Sequence, residues 1–171
     1  MQKDELNEIF EKNYKKIFFL AFKMLKNYED AEDATQEIFM KAHQNIDKFR
    51  EESKFSTWLY RIALNHIYGF YKTKKMDVKN SLTNSVLSNR NTPETALHEK
   101  ELYKKLDEIV NKLPKMQKKV FLLRYYNQFK FKKIAKILKR SLGTVKSNYF
   151  FAMEKVKVEF EKNNLLEFKD N

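Results

Sequence analysis

Glycine and proline are almost absent from this sequence, which contains two of each in 171 residues. Because these residues form tight turns, their scarcity leaves few places for the hairpins of a β fold. It also excludes a glycine-rich loop of the kind that cradles phosphate groups. Lysine, glutamate, leucine and alanine, which favour helices, are abundant. The sequence therefore predicts an all-α protein.

A polar stretch divides the helical pattern into two parts. Residues 76–97 include a segment rich in Asn, Ser and Thr that has no sustained hydrophobic period. We expect a flexible linker here. It would join one small helical domain, residues 1–75, to a second, residues 98–171.

Several classes of site are excluded by composition and spacing. The chain has no cysteine, which rules out a disulfide scaffold and thiolate metal ligands. His43, His66 and His98 are far apart, and His66 lies on an apolar helical stripe, where a core histidine is expected. The carboxylates lack the glycine-bearing loop that wraps a cation, and a metal-dependent nuclease would need convergent carboxylates that the chain does not offer. We expect no catalytic residue, metal or cofactor.

No long apolar run suggests a membrane span, and no charged-then-apolar leader suggests export. The sequence therefore predicts a cytoplasmic protein.

Positive charge is concentrated in two segments of a chain whose formal net charge is +12. Residues 53–80 carry six basic and one acidic side chain, and residues 113–162 carry fourteen and three. Residues 1–52, in contrast, have nine basic and twelve acidic side chains. A nucleic acid contacted at two places would account for this pattern. A lysine-rich surface that only confers solubility is the alternative, although it would spread the charge more evenly.

The stretch FSTWLYRIALNHIYGFYKTKK, residues 55–75, is typical of one uninterrupted helix with Ser56 as its N-cap. One face is apolar and is expected to be core; it includes Ile62 and Phe70. The other face carries the aromatic, amide and cationic groups that hold unstacked bases and phosphates, or it is simply an exposed amphipathic surface. That second face consists of Trp58, Arg61, Asn65, Tyr68 and Lys72.

A helix-turn-helix pattern follows in the second half. IAKIL and LGTVKS are separated by residues 139–141, and Ser141 can cap the second helix. In a major groove, Asn148 could pair with adenine and Lys146 could reach guanine or phosphate. A plain three-helix packing unit is the alternative. The side chains expected to face outward are Thr144, Lys146, Ser147, Asn148 and Phe151.

Two longer motifs, in this order, resemble bacterial RNA polymerase sigma factors of the extracytoplasmic-function (ECF) type, within the sigma-70 family. DAEDATQEIFMKAHQNIDKFREESKFSTWLYRIALN is similar to region 2, and LPKMQKKVFLLRYYNQFKFKKIAKILKRSLGTVKS is similar to region 4. The resemblance covers residues 5–160. It implies a factor that is not an enzyme, binds core RNA polymerase and directs promoter-specific initiation by −10 and −35 recognition and DNA melting. Many members also bind an anti-sigma factor.

The resemblance also implies roles for individual residues. Asp33, Gln36 and Glu37 stand where region 2 binds the polymerase. The −10 element would be captured and melted by one surface, comprising Phe49, Lys54, Phe55, Trp58, Arg61, Asn65, Tyr68, Lys72, Lys74 and Lys75. The −35 element would be bound by the helix-turn-helix residues Lys132, Lys133, Arg140, Thr144, Lys146, Ser147, Asn148 and Phe151.

The sequence departs from the family at three positions. Family members commonly carry arginine where Asn148 and Phe151 stand, so a −35 preference cannot be transferred. They commonly carry glycine where Lys139 stands, which predicts that this lysine adopts a turn conformation that glycine adopts more easily. A helix-turn-helix regulator that acts without polymerase is the alternative function, but it leaves the first 75 residues unexplained.

Overall fold

The computed structural model describes residues 3–49, 53–77 and 93–162, with side chains described for 8–49, 53–70 and 101–162. The described part is helical and contains no β-strand, which confirms the predicted all-α class. Most of the expected linker lies outside the described residues. The helices are α1 (Lys3–Leu25), α2 (Tyr28–Gln44), α3 (Phe55–Asp77), α4 (Pro93–Lys112), α5 (Lys115–Phe121), α6 (Phe131–Leu138) and α7 (Leu142–Lys162).

The chain forms two compact units. The first comprises Met1–Asn84 together with Lys132–Arg140, and the second comprises Ser85–Phe131 together with Ser141–Asn171. By its contacts α6, apart from its first residue Phe131, thus belongs to the first unit. The domain boundaries expected from the sequence stay a prediction.

Helices α1, α2 and α3 pack against one another in the first unit. Alanines 31, 34 and 42 on α2 are fully buried, and such small side chains allow neighbouring helices to approach closely. Leu59 and Ile67 fill the core from α3. The start of α2 is fixed by Asn27, whose Oδ1 accepts a hydrogen bond from the Asp30 backbone N–H at 2.9 Å. These contacts hold the exposed faces of α2 and α3 in place.

Helix α7 packs against α4 and α5 in the second unit. Helix α5 runs into a single π-helical turn, Leu122–Tyr126, which ends where the Asn127 N–H donates to the Leu122 carbonyl at 3.2 Å. The Tyr126 hydroxyl donates to Asp107 Oδ1 at 2.9 Å, and burial raises the pKa of Tyr126. Phe121, Leu122 and Leu123 are buried at this junction and form part of the core of the second unit.

Candidate nucleic-acid interface

The exposed edge of α2 carries the three residues predicted to contact the polymerase. Since the small apolar side chains of α2 face the core, Asp33, Gln36 and Glu37 are turned to the opposite, exposed side. Met40 lies one turn further along the same edge, and 60% of its surface is exposed. Sequence reasoning missed Met40, although its helical spacing from Gln36 and Glu37 could have identified it. The edge therefore combines anionic, amide and apolar groups.

Glu37 also reaches towards α3. Its Oε2 lies 3.5 Å from Lys41 Nζ and 3.3 Å from His66 Nε2. Lys41 Nζ lies 2.7 Å from His66 Nδ1, while Nε2 has no aligned hydrogen-bond partner among the described residues. Burial, and next the charge of Lys41, lower the pKa of His66, and Glu37 opposes them. Because a lysine ammonium can only donate, Nδ1 is the acceptor of the hydrogen bond from Lys41, and a lowered pKa favours the neutral ring that this requires.

An open groove of about 930 Å³ lies between the end of α2 and α3. Trp58 and Asn65, both predicted to bind bases, lie on its α3 side. Ile62 and Phe70 were expected in the core, but they are only half-buried and line this groove as well. The α2 side adds polar and cationic groups that sequence reasoning missed: Lys41, Gln44, Asn45 and Lys48.

Hydrogen bonds order the α2 side of this groove. The Asn45 side-chain amide donates to the Lys41 carbonyl at 2.8 Å, and Lys48 Nζ donates to Asn45 Oδ1 at 2.8 Å. The helical spacing of Lys41, Gln44, Asn45 and Lys48 was visible in the sequence. That they face Trp58 depends on how α2 packs against α3.

Three aromatic rings form a cluster at the start of α3. The centroid of the Trp58 ring lies 5.2 Å from that of Phe55 and 5.5 Å from that of Phe49. Phe55 is buried, so its ring packs against Phe49 and Trp58 and is not accessible to a ligand. Helix α3 begins at Phe55, two residues earlier than a Ser56 N-cap predicts, so the predicted cap is wrong and Ser56 lies inside the first turn. The Lys54 carbonyl accepts the Thr57 and Trp58 N–H groups there, so Lys54 precedes the helix.

The predicted cations near α3 differ in their surroundings. Arg61 Nη2 and Nε donate to the Lys136 carbonyl at 2.7 and 3.1 Å, which satisfies a backbone acceptor in the last turn of α6. Lys133 lies over the buried Tyr60 ring, 5.7 Å from its centroid, and burial lowers the pKa of Lys133. Arg61 and Lys133 are thus partly engaged within the first unit.

The remaining predicted contacts of the first unit fall into two groups. Tyr68 is half-buried, whereas Lys54, Lys132 and Arg140 are exposed. Lys72, Lys74 and Lys75 lie in the last turns of α3, and their side chains are outside the described residues.

The turn before α7 has the conformation expected from the sequence. Lys139 has φ +51°, which confirms a left-handed turn residue, and the next N–H, that of Arg140, donates to the Ala135 carbonyl at 3.1 Å. Ser141 Oγ accepts the Thr144 N–H at 3.0 Å, which confirms the predicted cap. Helix α7 therefore starts at a fixed residue with its first turn capped.

The outward face of α7 carries the predicted −35 residues. Val145 and Ala152 are buried, which leaves Thr144, Lys146 and Ser147 exposed. Asn148 Nδ2 donates one of its two hydrogens to the Thr144 carbonyl at 2.8 Å, and its second N–H and Oδ1 are the groups that a two-bond pairing with adenine uses. Sequence reasoning missed Phe150, which is as exposed as its neighbour Phe151.

The part of the chain that the structure describes contains neither a metal-binding cluster nor a membrane-spanning helix. It contains no cluster of three or more His, Asp or Glu side chains able to hold a metal ion. Nor does any described helix have the length and apolar character needed to cross a membrane.

Comparison with known proteins identifies both parts of the chain. Residues 9–76 match the family model Sigma-70 region 2, and residues 103–156 match Sigma-70, region 4. The ECF RNA polymerase sigma factor SigW of Bacillus subtilis is 36% identical over 142 residues, covering 77% of this chain and 76% of SigW. The ECF RNA polymerase sigma-E factor of Haemophilus influenzae is 32% identical over 137 residues, covering 74% of this chain and 72% of that factor.

Solved structures show the same fold. The sigma factor RpoE of Bartonella quintana, in complex with the anti-sigma factor NepR, matches with a TM-score of 0.73 at 20% identity, covering 94% of this chain and 98% of that one. CnrH in complex with the cytosolic domain of CnrY matches with a TM-score of 0.72 at 18% identity, covering 94% and 90%.

Proposed function

The chain belongs to the ECF sigma factors of the sigma-70 family. We propose which of its residues bind core polymerase, the −10 element and the −35 element. A sigma factor binds core RNA polymerase and directs promoter-specific transcription initiation. Sigma factors are not enzymes, and no covalent step is asked of this chain. The alternative of a helix-turn-helix regulator does not account for the region 2 match at residues 9–76.

The groove between α2 and α3 captures unstacked bases of the −10 element. Trp58 offers a ring for stacking, and Asn65 offers an amide for hydrogen bonds to base edges. Removing a base from the duplex costs roughly a few kcal/mol, which these contacts offset. Phe55 and Phe49 hold the Trp58 ring in position. DNA melting is in this way driven by binding energy.

The cations around the groove bind the DNA backbone. Lys41 and Lys48 line the groove itself, and Lys54 is exposed just before α3. Each phosphate that a lysine neutralises releases counterions and adds salt-sensitive affinity. Lys72, Lys74 and Lys75 extend this role along α3.

The exposed edge of α2 binds the polymerase. Asp33, Gln36 and Glu37 supply polar contacts to a basic surface of core enzyme, and Met40 supplies an apolar one. Because carboxylates would repel DNA phosphates, this edge is suited to a protein partner.

Helix α7 reads the −35 element as an intact duplex. Its capped first turn presents Thr144, Lys146 and Ser147 on one exposed face, and residues 141–153 contain no acidic side chain. A helix face of this kind fits a major groove. Lys132 and Arg140 bind the flanking backbone.

Further partners follow from the family. The Bartonella quintana relative is bound to an anti-sigma factor, and we propose an anti-sigma factor as a partner of this chain also. Because core polymerase and promoter DNA are found in the bacterial cytoplasm, we propose that the chain acts there.

The observation that carries the proposal is the groove, where two aromatic rings, three amides and two lysines from α2, the turn after it and α3 converge beside a polar docking edge. Run-off transcription with purified core polymerase and a randomised promoter library tests it. We expect initiation at defined start sites that share two sequence elements, and none with core polymerase alone. Failure to select a start site on any template, with folding and core polymerase activity verified, would refute the proposal.

A further inference from the structure

Two adjacent phenylalanines on α7 remain exposed. Phe150 has 60% of its surface exposed and Phe151 has 54%, and the rings contact each other edge to face at a centroid distance of 5.8 Å. Single exposed apolar side chains are common, but two large rings in contact on an otherwise polar helix face indicate a surface that binds another molecule. We call Phe150 and Phe151 the phenylalanine pair.

The pair lies on the face that the proposed function assigns to DNA. Successive residues of a helix are turned by about 100°, so Phe150 and Phe151 lie roughly 60° and 40° to either side of Ser147. Ser147 itself points away from the buried Val145. Because the Ser147 side chain is short, the two rings project beyond it on both sides.

The charges around the pair favour DNA over a protein partner. Residues 113–162 carry fourteen basic and three acidic side chains, and the first acidic residue of α7 is Glu154, which follows the pair by one turn. Lys146, one turn before Phe150, is exposed. A polyanion is therefore attracted to the first part of α7, and the carboxylate of Glu154 limits how far it extends.

The chemistry of a ring narrows what it can read in a major groove. A phenyl ring neither donates nor accepts a conventional hydrogen bond, and the apolar group that bases present there is the C5 methyl of thymine. Asn148, the neighbouring amide, already donates through Nδ2 to the Thr144 carbonyl. Neither position 148 nor position 151 carries arginine, the side chain that suits guanine.

We propose that the phenylalanine pair reads thymine methyl groups in the −35 element, so that this factor selects thymine there by apolar contact. The inference rests on the proposed function and adds a base preference to it. The same rings would accept 5-methylcytosine and would discriminate against uracil, which differs from thymine by the methyl group alone.

The test removes the methyl groups without changing base pairing. Holoenzyme made from the full-length protein and core polymerase is bound to a promoter selected from the library, with each −35 thymine replaced in turn by deoxyuridine. We expect affinity to fall about fourfold for each methyl that leaves contact with a ring. Equal affinity for every thymine and uracil duplex would overturn the inference while leaving the proposed function intact.

Variants then assign the effect to the pair. Phe150→Ala and Phe151→Ala should each reduce the preference for thymine over uracil at a different base pair. Met153→Ala is the matched control, since Met153 is an exposed apolar side chain of the same helix outside the pair, and it should leave the preference unchanged. The circular dichroism of each variant verifies folding.

Two other results would contradict the inference. If the preference for thymine persists in both phenylalanine variants, another group reads the methyl. If the variants instead lose affinity for core polymerase and keep the preference, the pair is a protein-binding surface. Absence of initiation from every template would refute the proposed function itself, together with this inference.

Discussion

The two proposed DNA surfaces differ in how they are built. The groove of the first unit is concave, takes side chains from two helices, and holds Trp58 against two other rings. The face of α7 is one convex row of exposed side chains, each held mainly by its own helix. Unstacked bases require a prepared site, whereas an intact duplex can be read by side chains that act one at a time. Substitutions should therefore have large effects in the groove and small, separable effects on α7.

The largest effect is expected from Trp58→Ala. Stacking on an aromatic ring contributes about 1–3 kcal/mol per base, so open-complex formation should fall roughly 5- to 150-fold. Permanganate reactivity of unpaired thymines measures this. Tyr28→Ala, which removes an exposed ring of the same unit outside the groove, should melt DNA normally. If both variants melt DNA like the wild type, the groove is not the melting site.

Changing Gln36 and Glu37 together to alanine tests the docking edge. We expect core polymerase affinity to fall about tenfold, as for side chains near the centre of an interface. Binding of the labelled protein to core enzyme measures it. Glu8→Ala with Glu11→Ala changes two exposed carboxylates of α1 and should bind normally. Unchanged affinity of the Gln36 and Glu37 variant would refute the docking assignment.

Lys146→Ala should have a smaller effect, because it removes one cation from a row of independent contacts. We expect promoter affinity to fall several-fold and the slope of log K against log salt to flatten by about 1. Titration of holoenzyme with promoter DNA at several salt concentrations measures both. Lys157→Ala, at an exposed lysine further along α7, is the control. An unaltered slope for Lys146→Ala would exclude a phosphate contact.

The smallest effect concerns the turn before α7. Left-handed φ costs a non-glycine residue about 1–2 kcal/mol. Glycine avoids this steric cost, but it loses more conformational entropy on folding, which offsets part of the stabilisation. Lys139→Gly should thus stabilise the protein by about 0.5–1 kcal/mol, measured by urea unfolding. Lys136→Gly, within α6, should instead destabilise it by about 1 kcal/mol. Destabilisation by Lys139→Gly would mean that the turn is not strained.

The sequence predicted features that depend on neighbouring residues along the chain. The all-α class and the Ser141 cap follow from local propensities, and the left-handed turn at Lys139 follows from the family resemblance; the structure confirms all three. The exposed edge of α2 follows from helical periodicity in the same way.

Features that depend on packing between distant residues were not accessible. No local pattern places Gln44 and Lys48 opposite Trp58, since that depends on how α2 packs against α3. Phe55 was expected to contact bases, yet the aromatic cluster buries it. Arg61 reaches a carbonyl 75 residues away along the chain, which no local pattern indicates.

Transcription from a promoter whose −10 element is already unpaired tests most directly whether the groove melts DNA and α7 reads the intact duplex. Trp58→Ala and Lys146→Ala are each compared on fully paired and pre-opened templates with core polymerase. We expect the pre-opened template to restore most of the activity of Trp58→Ala, because the bases no longer need to be unstacked, and to leave the defect of Lys146→Ala unchanged. Equal rescue of both variants, or rescue of neither, would contradict the assignment of melting to the groove and duplex reading to α7.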